Sequence, residues 1–219
     1  VAVAERFVIN LRGGGGSGKT TLARALLAHK TDEFEWDFEK RESPKAAPKP
    51  AKWTVTRCAV PGVKLPIYVQ GSYRQAQGGC DTCKEMDATE RMIWKAASEL
   101  TDGHVFFEGK FVSTICERWA IFSNRFNKLG LGTYLWIFLP MSKEEMTKRV
   151  MLRNGGRPII AEHVERDVQG IKKSRTVAKG LYSIEESRRR VVDLDPLQPP
   201  DVVYDAFIAA LAAREVGYV

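Results

Sequence analysis

An α/β fold with a parallel central sheet is what this 219-residue sequence predicts. Three observations carry the prediction. Gly13-Gly14-Gly15-Gly16-Ser17-Gly18-Lys19-Thr20 matches the phosphate-loop pattern GxxxxGK[ST]. It lies between a short apolar run at residues 6–11 and a stretch of good helix formers at 21–28. Two further runs, at 104–109 and 133–139, are apolar nearly throughout, as strands covered on both faces must be. Such strands alternate with helical stretches, which implies βαβ units. The expected architecture is therefore a P-loop nucleoside-triphosphate hydrolase-type three-layer sandwich. One domain is expected over residues 1–219.

The elements follow in order. After the first helix, residues 32–38 mix acids with aromatics. Residues 40–52 carry three prolines and five basic side chains against one acid, and read as a basic flexible loop. Residues 53–60 and 65–69 are β-rich and flank Pro61-Gly62, so they predict a hairpin. A polar loop through Gly78-Gly79-Cys80-Asp81 leads to a helix expected from Thr82 to Leu100, with Met86, Ile93, Trp94, Ala97 and Leu100 on one face. Helices are expected at 117–128, at 142–153 behind a Ser142/Glu145 capping box, at 162–179 and at 202–214. A late strand is expected at 189–194.

Composition narrows the class. Hydrophobic residues make up 44%, enough for a full core, and no run of eighteen apolar residues predicts a membrane span. No basic-then-apolar leader pattern opens the chain, so no secretory signal is expected. The net charge of +7 suits a polyanionic partner, whether nucleotide or nucleic acid. Cys58, Cys80, Cys83 and Cys116 are expected as reduced thiols, because one CxxC pair cannot complete a structural zinc site. His29, His104 and His163 show no metal spacing, and the five tryptophans read as core or interface.

The chemistry is expected at the carboxyl ends of the strands. Glycines let successive backbone N–H groups converge on phosphate, so Gly13, Gly14, Gly15, Gly16, Ser17, Gly18, Lys19, Thr20 and Thr21 form the expected triphosphate site. Lys19 reaches the β- and γ-phosphates, and Thr20 gives its hydroxyl to Mg²⁺. Glu108 ends an apolar strand, the place for a carboxylate that holds the metal through water. Asp81 has two readings that spacing does not separate. It is the carboxylate that orients an acceptor hydroxyl and takes its proton, or it is only a helix cap. Tyr73 either stacks on an acceptor base or packs, and Arg125 is a further acceptor candidate. Arg149, Arg153 and Arg157 recur every four residues beside Gly155-Gly156, which suggests an arginine-rich lid over about 149–160. Arg153 is its candidate catalytic cation. Two more basic clusters, Lys172-Lys173-Arg175 and Arg188-Arg189-Arg190, either touch DNA phosphates or face solvent.

Several stretches together resemble a group of bacteriophage P-loop kinases. They are Val8-Ile9-Asn10-Leu11-Arg12, Gly71-Ser72-Tyr73 with Gly78-Gly79-Cys80-Asp81-Thr82, His104-Val105-Phe106-Phe107-Glu108-Gly109 with Val112-Ser113, and Ser174-Arg175-Thr176-Val177. The group includes kinases that phosphorylate 5-hydroxymethyluracil in phage DNA during thymidine hypermodification. The resemblance spans about residues 8–177. It implies a nucleotide-kinase-like fold and an ATP- and Mg²⁺-dependent kinase, working in the cytoplasm of the infected bacterial host on DNA that contains 5-hydroxymethyluracil. Lys19 and Thr20 then serve ATP and Mg²⁺, Glu108 serves the metal, and Asp81 handles the acceptor. One departure stands out: Gly14-Gly15-Gly16 is more glycine-rich than the corresponding loops of the group. Two rival readings stay open, a kinase of free nucleosides or nucleotides and a P-loop ATPase acting on DNA.

Overall fold

The computed structural model describes residues 4–41, 46–75 and 78–216. Its centre is β1 (Phe7–Gly13), buried along its whole length. Parallel neighbours β5 (His104–Glu108) and β6 (Thr133–Leu139) pair with it on either side. Beyond them lie β4 (Ile67–Gln70) and β7 (Val191–Asp193), also parallel. The sheet is completed by β2 (Lys30–Lys40) and β3 (Lys49–Cys58), in the order β2-β3-β4-β5-β1-β6-β7. Both β2–β3 and β3–β4 pair antiparallel. The sheet is thus mostly parallel, with an antiparallel ribbon on one edge.

Side-chain alternation along β1 assigns the two covering layers. Phe7, Ile9 and Leu11 face a cluster shared with α1 (Lys19–Leu27) and α8 (Pro200–Glu215). Val8 faces the other layer, with α2 (Met86–Glu99), α4 (Glu117–Lys128) and α6 (Ala161–Gly180). Three tryptophans, Trp53, Trp119 and Trp136, are buried there, and Trp36 and Trp94 pack against them. A smaller cluster joins α5 (Lys143–Arg153) to α6 through Met146, Val164 and Val168.

Several boundaries differ from expectation, each for a physical reason. The basic loop expected at 40–52 is shorter, because Lys40 closes β2 and residues 49–52 open β3. Residues 42–45 of that expected loop lie outside the described residues. Pro50 is tolerated because β4 meets only residues 55–58 of β3, so at Pro50 the strand has a neighbour on one side only. The acid–aromatic stretch is a strand of period two: Phe34, Trp36 and Phe38 pack on the core while Glu35, Asp37 and Glu39 are exposed. The helix expected from Thr82 starts at Met86, behind a 3₁₀ turn at Cys80–Thr82 and a left-handed Lys84 (φ 60°). Arg189 and Arg190 belong to α7 (Ile184–Arg190), not to the late strand. The Ser142 hydroxyl caps α5 by accepting from Glu145 N, but the Glu145 carboxylate accepts from Arg149 instead of closing the box. A short helix, α3 (Lys110–Thr114), was not anticipated.

A buried pair closes the base of the sheet. His104 Nδ1 accepts the Phe7 amide, so Nε2 carries the proton and donates to Glu215 Oε1 at 2.8 Å. The Glu215 carboxylate also accepts the Lys64 and Leu65 amides. Burial alone would push its pKa up; the His104 bond and these amides outweigh that and hold it below the ordinary carboxylate value. The resulting stability is present above that ordinary value and is lost as pH falls through the depressed one. Glu215→Ala should cost about 3 kcal/mol in urea unfolding at pH 7, since it strands three donors.

Candidate active site

The phosphate loop joins β1 to α1. Ser17 N donates to Gly14 O, and Gly18 enters the helix with φ 92°. Gly16 and Gly18 have positive φ (75° and 92°), which a side chain would strain, and the flexible end of Met146 from α5 rests on Gly14. Lys19 is buried and donates from Nζ to Gly13 O (2.8 Å) and Gly14 O (3.1 Å). Burial lowers its pKa, while the Glu108 and Asp81 charges pull it back up.

Glu108 ends β5 directly behind the loop. Its Oε1 accepts from Thr20 Oγ1 at 3.2 Å, and the carboxyl is 1% exposed. Burial raises its pKa to about 7, against the Lys19 charge. A hydroxyl and a carboxylate side by side at a helix start are hard oxygen donors of the kind Mg²⁺ takes when phosphates and water complete its shell. Among the described residues no group of three or more His, Cys, Asp or Glu side chains that could hold a metal occurs.

The stretch after β4 packs against this carboxylate. A Cβ on Gly79 would lie 2.7 Å from Glu108 O and 2.9 Å from the Tyr73 hydroxyl, so the chain can pass here only as glycine. That passage delivers Asp81. Its Oδ1 accepts from Lys110 N at 2.8 Å and Phe111 N at 3.4 Å, so Asp81 caps α3, a helix distant in sequence. The far end of α3 is tied to the phosphate loop. Ser113 Oγ accepts from Gly13 N at 3.2 Å, and the buried Arg12 donates to Ser113 O, Ile115 O and Ser174 Oγ. Arg12 lies over the Trp136 ring, and burial lowers its pKa to about 10, so it stays charged at neutral pH.

One cavity of about 1020 Å³ spans the carboxyl ends of the strands. The sheet order gives it two halves. Asp81, Lys84, Lys110 and Phe111 line it on the β4–β5 side of the loop. Pro196, Gln198 and Val203, after β7, line it on the other. Residues 15–21, together with Glu108, line it between those halves. Arg149, Arg153, Ile160, His163 and Asp167 line it from α5, α6 and their connection.

The expected site residues divide accordingly. Gly15, Gly16, Ser17, Gly18, Lys19, Thr20, Thr21, Asp81, Glu108, Arg149 and Arg153 line one cavity. Gly13 and Gly14 lie behind the lining and give their carbonyls to Lys19. Arg149 is engaged with Glu145 and Pro196 O, whereas Arg153 has no partner among the described residues. Arg157 is exposed and outside the lining. Two acceptor candidates are displaced. Tyr73 lies behind Gly78 and Gly79, its buried hydroxyl beside Glu108 without a well-formed hydrogen bond. Arg125 lies over the Trp94 ring, 4.4 Å from its centroid, and lines no part of the cavity. The basic clusters are largely engaged as well: Lys173 pairs with Glu117, and Arg175 with Asp193. Sequence reasoning missed Lys110, Asp167 and His163. Lys110 Nζ and Asp167 form an ion pair at 3.2 Å across the cavity wall.

Fold and loop together place the chain in the P-loop class, and its relatives make it a phosphotransferase of the kinase type. Among solved structures, a gluconokinase from Sinorhizobium meliloti 1021 superposes with a TM-score of 0.52 at 13% identity, covering 97% of this chain and 95% of that one, which establishes the fold. No protein-family model matches the chain. The protein named 5-hmdU DNA kinase from Pseudomonas phage M6 is 30% identical over 175 residues, 78% of this chain and 81% of the relative. A protein of the same name from Pseudomonas phage PaMx11 is 30% identical over 116 residues, 53% and 55% of the two chains. The chain belongs to this family of phage kinases. No helix among the described residues is long and apolar enough to cross a membrane.

Proposed function

We propose that the protein transfers the γ-phosphate of ATP to the hydroxymethyl group of 5-hydroxymethyluracil in DNA, in the cytoplasm of the infected bacterium. The observation that carries this reading is the two-sided cavity, with the phosphate loop between a β7 half and an Asp81 half. The names of the two phage relatives support 5-hydroxymethyluracil in DNA as the acceptor. Lys19 exchanges its loop carbonyls for the β- and γ-phosphates of ATP. Thr20 and Glu108 hold Mg²⁺, which offsets the charge of the phosphate oxygens when bound. Asp81, fixed by the Lys110 and Phe111 amides, orients the hydroxymethyl O–H and takes its proton. The hydroxymethyl oxygen forms its bond to the γ-phosphorus as the bond to the bridging oxygen breaks, and ADP leaves. Arg153, from a lid at about 149–160, meets the charge that develops on the transferred group. The target base leaves the duplex stack, or is taken from a single strand, to enter the cavity.

The test uses γ-labelled ATP with three acceptors: DNA containing 5-hydroxymethyluracil, the free nucleoside, and unmodified DNA. Label in the modified DNA is the expected result. Label in the nucleoside alone overturns the reading in favour of a nucleoside kinase, and DNA-stimulated phosphate release without labelled acceptor favours an ATPase. Asp81→Asn keeps a cap acceptor for α3 but removes the base. Transfer should fall about 10²–10⁴-fold with ATP binding retained. Lost ATP binding in a folded Asp81→Asn protein would assign Asp81 to the donor half.

A further inference from the structure

Two residues in the Asp81 half have no structural employment. Phe111 is 53% exposed in the first turn of α3, in a cavity otherwise lined here by charge. Its ring stacks on no other aromatic among the described residues. Its backbone amide donates to Asp81, so the residue that carries the ring is tied to the carboxylate. Lys84 is the one described non-glycine residue with positive φ, at 60°. A side chain there is strained, and such strain persists where the surroundings impose it, often at functional sites. Lys84 is exposed and makes no hydrogen bond or ion pair among the described residues. It lines the main cavity and also a small adjoining hollow of about 90 Å³, and Phe111 forms a wall of both.

From this geometry we infer that Phe111 and Lys84 form a subsite for one nucleotide unit of a polynucleotide, the base stacking on the Phe111 ring and a backbone phosphate meeting the Lys84 ammonium. The inference deepens the acceptor assignment above and rests on it. An exposed aromatic is a sequence-tolerant platform for an unstacked base, and a neighbouring cation tracks the backbone. The second cation points to a ligand that carries phosphate. Lys19 and Arg153 lie with the phosphate loop, on the ATP side of that assignment, whereas Lys84 stands on the far side, where a free nucleoside offers it no phosphate, a mononucleotide only its own, and a polynucleotide one on either side of the stacked base. Lys110 in this half is already paired with Asp167, and Arg24, which also lines the cavity, donates to Gln75 O.

The experiment measures binding of a fluorescent single-stranded oligonucleotide carrying one 5-hydroxymethyluracil, by anisotropy, alongside transfer kinetics. Phe111→Ala should weaken binding and raise KM for the oligonucleotide about 5–150-fold, the range of one lost base–aromatic stack, with KM for ATP unchanged. Phe111→Trp should restore binding, and its fluorescence should be quenched when the oligonucleotide is added. Lys84→Gln should weaken binding and reduce the slope of log K against log salt by about 0.7, one phosphate contact on a single strand. Lys84→Gly should weaken binding equally while raising the thermal midpoint, because glycine relieves the left-handed backbone. Unchanged oligonucleotide affinity in Phe111→Ala, or an unchanged salt slope in both Lys84 variants, overturns the subsite. The two readings fail separately. A wild-type protein that binds the oligonucleotide through Phe111 and Lys84 but never phosphorylates it retains the subsite and loses the reaction. One that phosphorylates it with no dependence on either residue loses the subsite alone.

Discussion

Lys19→Met lowers phosphoryl transfer by at least about 10²–10³-fold, the usual loss when one preorganised donor to developing charge is removed. Methionine matches lysine in length and is apolar, so the 8%-exposed site accepts it and the fold persists. What disappears is the one ammonium held inside the phosphate loop. Its two present partners, Gly13 O and Gly14 O, border the cavity where phosphates are expected, so a small rotation carries the charge from carbonyl to phosphate. Transfer from labelled ATP, with a thermal melt as control, checks the effect. More than a tenth of the wild-type rate in a folded variant would remove Lys19 from the chemistry.

Glu108→Gln is expected to inactivate the enzyme and stabilise it. The carboxyl has a folded pKa of about 7 against an ordinary 4.5, so the folded state holds the proton more tightly than the unfolded chain does. This contribution to stability is full below about pH 4.5 and is lost as pH rises through 7. The loss amounts to about 3 kcal/mol, since each pKa unit corresponds to about 1.4 kcal/mol. A neutral amide avoids it. In chelator, the variant should therefore exceed wild type in urea unfolding at pH 8.5 and match it near pH 4.5. On the proposed role of Glu108 in holding the metal, Mg²⁺-dependent transfer should fall about 10²-fold or more. A variant less stable than wild type at pH 8.5 would mean that the carboxylate is fully compensated by its neighbours.

Legibility in the sequence followed locality. The placement of the phosphate loop and of Glu108 in one cavity was readable because strand, turn and candidate residue are contiguous. The Asp81 stretch was readable as a site but not as a contact, since its partner is the start of α3, 29 residues further on. Tyr73 and Arg125 were misplaced for the same reason: an aromatic or a cation declares its type, not its layer. The hairpin expected from residues 53–60 and 65–69 forms as β3 and β4, whereas the outer strand β2 was missed because its acids argue against strand; Phe34, Trp36 and Phe38 packing at period two make it one. The start of α2 was misjudged because Lys84 at positive φ breaks a stretch whose composition is helical. Asp167 and the residues after β7 carried no local signal. Only the closing of α6 and α8 over the sheet brings them to the cavity.

α3 is five residues long and fastened at both ends, to Asp81 at its start and to Gly13 through Ser113 at its finish. A shift of the phosphate loop on filling should therefore be felt at the Asp81 carboxylate and the Phe111 ring. Thermodynamic linkage then requires reciprocity: the factor by which bound nucleotide alters affinity for the acceptor equals the factor by which acceptor alters affinity for nucleotide. The two substrates of this kinase should sense each other across one turn of helix before any phosphate moves.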